Sequence, residues 1–441
     1  MTAPGPLSGL LVADFSRVLA GPLATMTLGD LGADVIKVER PDVGDDTRGW
    51  GPPFAADGQA TYFLSVNRNK RSLAVDLSTV EGQAAALELA LEADILVENF
   101  PPGTMERFGL GYEQLNSSRL IYASVTGFGR DSRQPGYDFL IQAVGGLMSI
   151  TGPSDGEPTK VGVALVDVLA GQQLTSGILA ALYARERTGR GQRVEVSLLG
   201  SLLAGLVNQA SGLLNAGVVP GRMGNRHPSI TPYETLHAQD GPFAVAVGNQ
   251  AQFERFCAAL GLTGALGEAP GATTVDARGD TPAEARADPP GAPPAEARAN
   301  LPDATTADAR GDTPGATPAD ARGDATAETY ADLPGYAPAT VRVDPRFRDN
   351  AARVANRDVL IRAIEAVTTT RPAQHWIDVL TAAKVPCGPV NDLAQAFDLA
   401  ERLGLDPVVE LGDTKTVASP IRLSDTPVSY RLPPPALPKP G

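Results

Sequence analysis

The chain reads as an α/β protein whose larger part is a Rossmann-like, doubly wound parallel sheet. Two observations carry that expectation. Short apolar runs alternate with segments of helical length through the first two hundred residues, and the helix candidates open on recognisable start chemistry. Gly9 to Phe15 is the first apolar strand, followed by a helix from Pro22 to Leu31 with proline near its first position. Ala33 to Val38 makes the second strand. The rhythm recurs with a strand at Ser72 to Asp76, a helix at Thr79 to Glu92 and a strand at Ile95 to Val97. Ser78 and Glu81 stand in capping-box spacing before that helix. Leu120 to Val125 adds another strand.

From Val168 the pattern turns helical as far as Arg187, where Thr188-Gly189-Arg190-Gly191 supplies a C-terminal stop. A strand at Gln192 to Val196, a long apolar helix at Leu198 to Ala216, strand-and-turn character over His227 to Gly248 and a helix at Gln250 to Leu260 follow. Residues 264–340 change composition. Glu268 to Thr329 has no aromatic residue and no lysine, carries twelve acidic residues against five arginines, and repeats "ARGDTP", "PAEARA" and "ADARGD". Such a stretch cannot bury enough apolar surface to offset its ordering entropy and is expected to be a disordered insertion. Folded character resumes at Asp344, with helices at Arg357 to Thr368 and Pro372 to Ala383, the turn Val385 to Val390, and a proline-rich tail from Pro433. The expected division is a large domain of residues 1–200 with 391–441, and linker helices plus a smaller α+β domain of residues 201–263 with 341–390.

Composition narrows the function. A net charge of −14 argues against nucleic acid as a partner, so any anionic ligand must be held by local positive charge. Two cysteines, Cys257 and Cys387, and three histidines give neither a disulfide framework nor a metal site. No basic leader precedes an apolar run and no apolar stretch is long enough to span a bilayer, so a cytoplasmic protein without membrane attachment is expected. The loop after the first strand, Ser16 to Pro22, lacks the glycine fingerprint of a dinucleotide site. Basic side chains do collect near predicted strand ends: Arg17, Lys37, Arg40, the Arg68-Asn69-Lys70-Arg71 cluster and Arg107. They are either an anion site or a solvated surface paired with Asp42, Asp45 and Asp46.

Eleven segments, spread in order over nearly the whole chain outside the insertion, resemble the family III (CaiB/BaiF-type) CoA-transferases. They include "DFSRVLAGP" from Asp14, "GADVIKVERP" from Gly32, "NRNKRSLAVDL" from Asn67, "VENFPPG" from Val97, "PGYDFLIQA" from Pro135, "GVALVDVLAGQ" from Gly162 and "HPSITPYE" from His227. The resemblance implies an interlocked homodimer, with coenzyme A as substrate and no tightly bound cofactor. It implies that Asp167 is a nucleophile passing through aspartyl anhydride and aspartyl-CoA intermediates, oriented by Asp138. By position it places coenzyme A against Val18, Leu19, Ala20, Arg40, Val75, Ser78, Asn99, Phe100, Arg107 and Tyr137. Some members carry glutamine at the position of Leu19 and lysine at that of Ser78. The mobile glycine-rich loop of the family has its nearest counterparts in Gly224-Asn225 and Gly248-Asn249.

On local pattern alone Asp167 is a helix N-cap, or a first-turn residue kept ionised by the macrodipole, and Asp138 a loop cap. The implied donor leans toward succinyl-CoA or another dicarboxyl thioester. Two alternatives stand beside the transferase. One is an acyl-CoA racemase of the same fold, disfavoured because Tyr137 occupies the place of a histidine base in Gly136-Tyr137-Asp138. The other is a non-catalytic CoA-binding protein.

Overall fold

The computed structural model describes residues 4–115, 117–263 and 338–438. The expected insertion of residues 264–340, acidic repeat included, lies outside the described residues except for 338–340, which open a 3-10 helix over Pro338–Val343.

Six strands form one parallel sheet: β1 (Leu11–Asp14), β2 (Asp34–Glu39), β3 (Lys70–Ala74), β4 (Ile95–Glu98), β5 (Ile121–Thr126) and β6 (Arg193–Ser197). Their order is β3-β2-β1-β4-β5-β6. The winding reverses between β1 and β4, which pair directly (Val12 opposite Ile95), so the loops leaving these two strands diverge and open a crevice at their carboxyl ends. Accompanying helices are α1 (Ala20–Asp30), α2 (Thr61–Ser65), α3 (Val80–Glu92), α4 (Thr104–Arg107), α5 (Tyr112–Leu115), α6 (Asp138–Val144), α7 (Leu147–Ile150), α8 (Leu165–Thr188), α9 (Leu198–Gly205) and α10 (Val207–Ala216).

Alternate side chains of the strands go to opposite faces. Val12, Val35, Val97 and Ile121 meet Ala24 and Leu28 of α1 and Val166, Leu174 and Ile178 of α8. Ala13, Phe15, Val38, Leu96 and Tyr122 meet Ala86, Leu89 and Ala90 of α3. α8 is the one helix among the described residues long and apolar enough to cross a bilayer, and it packs against α1, α9, β5 and β6. Gly189 at φ 73° ends it.

A second core unites the antiparallel sheet of β7 (Tyr233–His237), β8 (Pro242–Ala246) and β9 (Cys387–Pro389) with α11 (Gln250–Ala259), α12 (Asn350–Ala355), α13 (Arg357–Thr368) and α14 (Ala373–Ala382). Its centre holds Phe243, Phe253, Phe256, Leu360, Ile364 and Trp376. α15 (Leu393–Arg402) and the hairpin β10 (Val408–Leu411) with β11 (Thr414–Val417) follow. The chain then returns to the parallel sheet, where Ser429 N–H donates to Asp30 O and Asn69 N–H to Leu432 O.

Two local expectations need correction. The cap of α3 is Thr79, whose hydroxyl accepts from Gly82 N–H, while Ser78 Oγ donates to Asp76. The apolar helix expected over 198–216 is two helices, broken at Leu206 and at Val207, whose φ of 33° no continuous helix allows.

Candidate active site

The crevice begins with the loop Ser16-Arg17-Val18 after β1, and side chains grip almost every backbone group in it. Ser16 N–H donates to Asp14 Oδ1, and Ser16 O accepts from Lys37 Nζ at 2.7 Å. Asn99, just after β4, closes both sides of Arg17: its Oδ1 accepts from Arg17 N–H at 2.9 Å and its Nδ2 donates to Arg17 O at 2.8 Å. Val18 N–H points at the Asp45 carboxylate. Val18 sits at φ 69°, a left-handed conformation that disfavours a β-branched residue and that these bonds enforce.

Beneath the loop lies a buried charge network. Lys37 pairs with Asp45 at 2.9 Å and Lys70 with Asp14 at 3.0 Å, with every side chain inaccessible. Burial alone would raise the Asp14 pKa, but Lys70, Lys37 and the hydroxyls of Ser16 and Thr25 overcome it and hold the group at about 2. The basic cluster read from the sequence is therefore split. Lys37 and Lys70 are structural, Arg68 pairs with buried Asp30 at 2.6 Å, and Asn69 fastens the C-terminal segment through Ser429 O and Arg431 N–H. The partners Asp45 and Asp46 were anticipated, but the Lys37–Asp45 pair is buried, not solvated.

Asp167 enters from α8 as its third residue. The N-cap is Ala164, with no side-chain cap. Asp138 does the capping, its Oδ1 accepting from Val166 N–H at 2.8 Å while its Oδ2 accepts from Gln142 Nε2 at 2.7 Å. Gln142 is itself fixed, since its Oε1 accepts from Val161 N–H. The first-turn position was expected to favour ionisation. Burial, and then the negative charge of Asp138, instead push the Asp167 pKa up to about 7. Tyr62, of α2, lies within the field of the same carboxylates; burial first and then Asp167 and Asp138 raise its hydroxyl to about 12.

Two close approaches fix this arrangement. A Cβ on Gly136 would stand 2.3 Å from the Cα of Gly127, so the strand-end loop after β5 and the chain entering α6 touch backbone to backbone. A Cβ on Gly171 would stand 2.7 Å from Ala20 O, which brings the start of α1 against α8 one turn beyond Asp167.

The resulting cleft of about 280 Å³ is lined by the β1 loop, Asn99 to Pro102, Val125 to Gly127, Ser132 to Tyr137, Asp46, Leu198 and Asp167. Of the residues singled out by sequence, Arg17, Val18, Leu19, Ala20, Asn99, Phe100, Tyr137 and Asp167 line it, with Asp138 behind Asp167. Arg40 stands at its rim, bonded to Asp46 and Gly44 O. Val75 packs in the core, Ser78 is on the surface, and the exposed Arg107 donates to Thr104. Neither glycine-asparagine pair lines the cleft, and Asn249 caps α11 through Gln252 N–H. Arg133, Gln134 and Tyr62 were not foreseen, because only the tertiary fold brings them near Asp167.

The model of CoA-transferase family III matches residues 7–289 and 326–439. Among curated proteins, succinate–glutarate CoA-transferase of Agrobacterium fabrum is 36% identical, over 98% of this chain and 93% of its own length. Acetyl-CoA:oxalate CoA-transferase of Acetobacter aceti is 35% identical, over 95% and 90%. A crystal structure of a CaiB/BaiF family protein from Brucella suis superposes with a TM-score of 0.74 at 35% identity, covering 98% of this chain and 97% of that one. The chain belongs to CoA-transferase family III. It is a CoA-transferase, built on that family's α/β fold.

Proposed function

We propose that the protein moves coenzyme A from an acyl-CoA, with succinyl-CoA or another dicarboxyl-CoA as the preferred donor, to a carboxylic acid through covalent intermediates on Asp167. The carrying observation is that Asp167 alone among the carboxylates lining the cleft has neither a hydrogen bond nor an ion pair among the described residues; Asp46, the other, is held by Arg40. A nucleophile must keep its lone pairs free, and a carboxylate raised to about 7 is both more basic and substantially ionised near neutrality.

In the first step an Asp167 oxygen attacks the thioester carbonyl; the C–S bond breaks, CoA thiolate leaves and a mixed anhydride remains. The thiolate then attacks the Asp167 carbonyl, the donor acid departs as carboxylate, and an aspartyl-CoA thioester forms. An acceptor carboxylate attacks that thioester and expels the thiolate, which takes the acceptor acyl group from the new anhydride and restores Asp167. Every step passes through a tetrahedral oxyanion. Gly127 and Gly136, which line the cleft, offer backbone N–H donors unshielded by side chains for that charge.

Dicarboxylate chemistry is favoured by the relatives named for oxalate and for succinate and glutarate. A homodimer is the assembly that best accounts for α10 and α15, which bury no residue while exposing Leu214 at 81% and Leu393 at 80%. The place of action is proposed to be the cytoplasm, and the two cores are proposed to be the two functional domains. Incubation with a panel of acyl-CoAs tests the chemistry. Intact mass spectrometry should find adducts on the wild type that vanish in Asp167→Asn, and their persistence in that variant would remove Asp167 from the mechanism.

A further inference from the structure

We propose that Arg17 selects dicarboxylic substrates, its guanidinium receiving the distal carboxylate of the acyl group that Asp167 carries. This rests on the transfer reading above and assigns a role to a side chain that the reading leaves unused.

Arg17 lines the same cleft as Asp167 and is half-buried. Its guanidinium lies over the ring of Phe100, 4.7 Å from the centroid, and makes no hydrogen bond or ion pair among the described residues. Each acid near enough to influence it is already committed: Asp45 to Lys37, Asp46 to Arg40 and Glu39 to Arg48. Burial, and then the neighbouring charge of Arg40, press its pKa downward. A desolvated, like-charge-crowded cation is stabilised by an anion, and the acids whose charge reaches it, Asp46, Asp45 and Glu39, each pair with another cation.

Position and shape narrow that anion. The loop carrying Arg17 reaches α8 where Ala20 O meets Gly171, four residues beyond Asp167, and one helical turn rises about 5 Å. Arg17 and Asp167 line the same cleft without pairing directly, and the proposed diacid sets its short methylene chain between them. A guanidinium whose face is stacked on an aromatic ring keeps its fork edge free, and that edge matches a planar carboxylate with two parallel hydrogen bonds. Asn99 closes both backbone sides of Arg17, which fixes the backbone from which the side chain springs. A CoA phosphate shares the anionic chemistry, and the exposed Arg133 of the same cleft, also without an ion pair among the described residues, stands as its counterpart.

The test compares succinyl-CoA with butyryl-CoA, which carries a methyl where succinyl-CoA carries the carboxylate, in wild type, R17M and R17K. The ratio of kcat/KM between the two donors should fall by about 10- to 100-fold in R17M, the range expected for a lost charged hydrogen bond, with part of it kept in R17K. An equal loss on both donors, matched by weaker binding of free CoA, would assign Arg17 to the phosphates and overturn the proposal, as would an unchanged ratio. Should R17M not fold, wild type decides alone. Succinate should accept coenzyme A from butyryl-CoA at far lower concentration than propionate does, and equal use of the two acids overturns the proposal. Absence of any acyl adduct on wild type would instead overturn the transfer reading beneath it.

Discussion

Replacing Asp167 by asparagine should remove activity and stabilise the fold, by an amount that depends on pH. Burial and Asp138 carry the Asp167 pKa from 3.8 to about 7, so the folded state holds the protonated form in preference. Each pKa unit is worth about 1.4 kcal/mol, which sets an upper bound of about 4 kcal/mol on the cost of ionising the group in place. Asp167 keeps 9% of its surface accessible where it lines the cleft, and screening there brings the expected figure to about 2 kcal/mol. Because the folded pKa is raised, the group's contribution is fully present below about pH 4 and is lost as pH rises through about 7. Asparagine does not titrate. The melting temperature of Asp167→Asn should therefore match that of wild type near pH 4, exceed it increasingly up to pH 7, and keep a constant lead above. Differential scanning calorimetry across that range measures it. A lead that stays flat with pH, or a variant less stable than wild type at pH 8, would refute the claim that this carboxylate is held in a desolvated, like-charged place.

The remaining expectations concern the supports of the same group. The kcat/KM for acyl-CoA should rise with pH through an apparent pKa near 7 as Asp167 ionises, and Asp138→Asn should shift that limb toward acid by removing the neighbouring charge. The same variant should cost about 1–2 kcal/mol in urea unfolding, since an amide has one acceptor oxygen where the Asp138 carboxylate offers two, and either Gln142 or Val166 loses its partner. Gly136→Ala should lose about 1–3 kcal/mol and most activity, because the new Cβ falls 2.3 Å from the Gly127 Cα and only backbone can yield; full activity there would show that the contact is dispensable. Lys37→Met should lower stability by about 3–5 kcal/mol by leaving Asp45 buried without its cation, and an unchanged denaturation midpoint would show that the pair is not needed.

How much of this was legible follows from what is local. The strands and long helices of the parallel sheet announced themselves by period, and the helical run from Val168 put Asp167 at a helix start, though as N-cap or first-turn residue it stayed open until the helix was seen to begin at Leu165. Segments of four to seven residues such as α4, α5, α6 and α7 lack the length to show a period, and tertiary contacts alone define them. The basic residues misled for a related reason. Lys37 and Lys70 look like surface charges until β1, β2 and β3 stack side by side and bring Asp14 and Asp45 against them. No spacing in the chain records that Gly136 will touch Gly127, or that Asn99 will reach back 82 residues to hold Arg17.

The buried charges also bear on why the cleft keeps its shape. A doubly wound sheet opens a crevice wherever its order reverses, but the crevice is only as defined as the loops that border it. Here the loop after β1 carries Val18 in a conformation that it would not adopt unaided, and the groups that impose it come from β2, from the turn after β2 and from the end of β4. Hydrophobic packing could stabilise those elements equally well, yet it has no direction and could not fix the carbonyl of Ser16 and both backbone sides of Arg17. Charge-assisted hydrogen bonds do, and they are strongest where water is absent. The Lys37–Asp45 and Lys70–Asp14 pairs hold a strained loop still, so that Arg17, Leu19 and Ala20 line one cleft with Asp167.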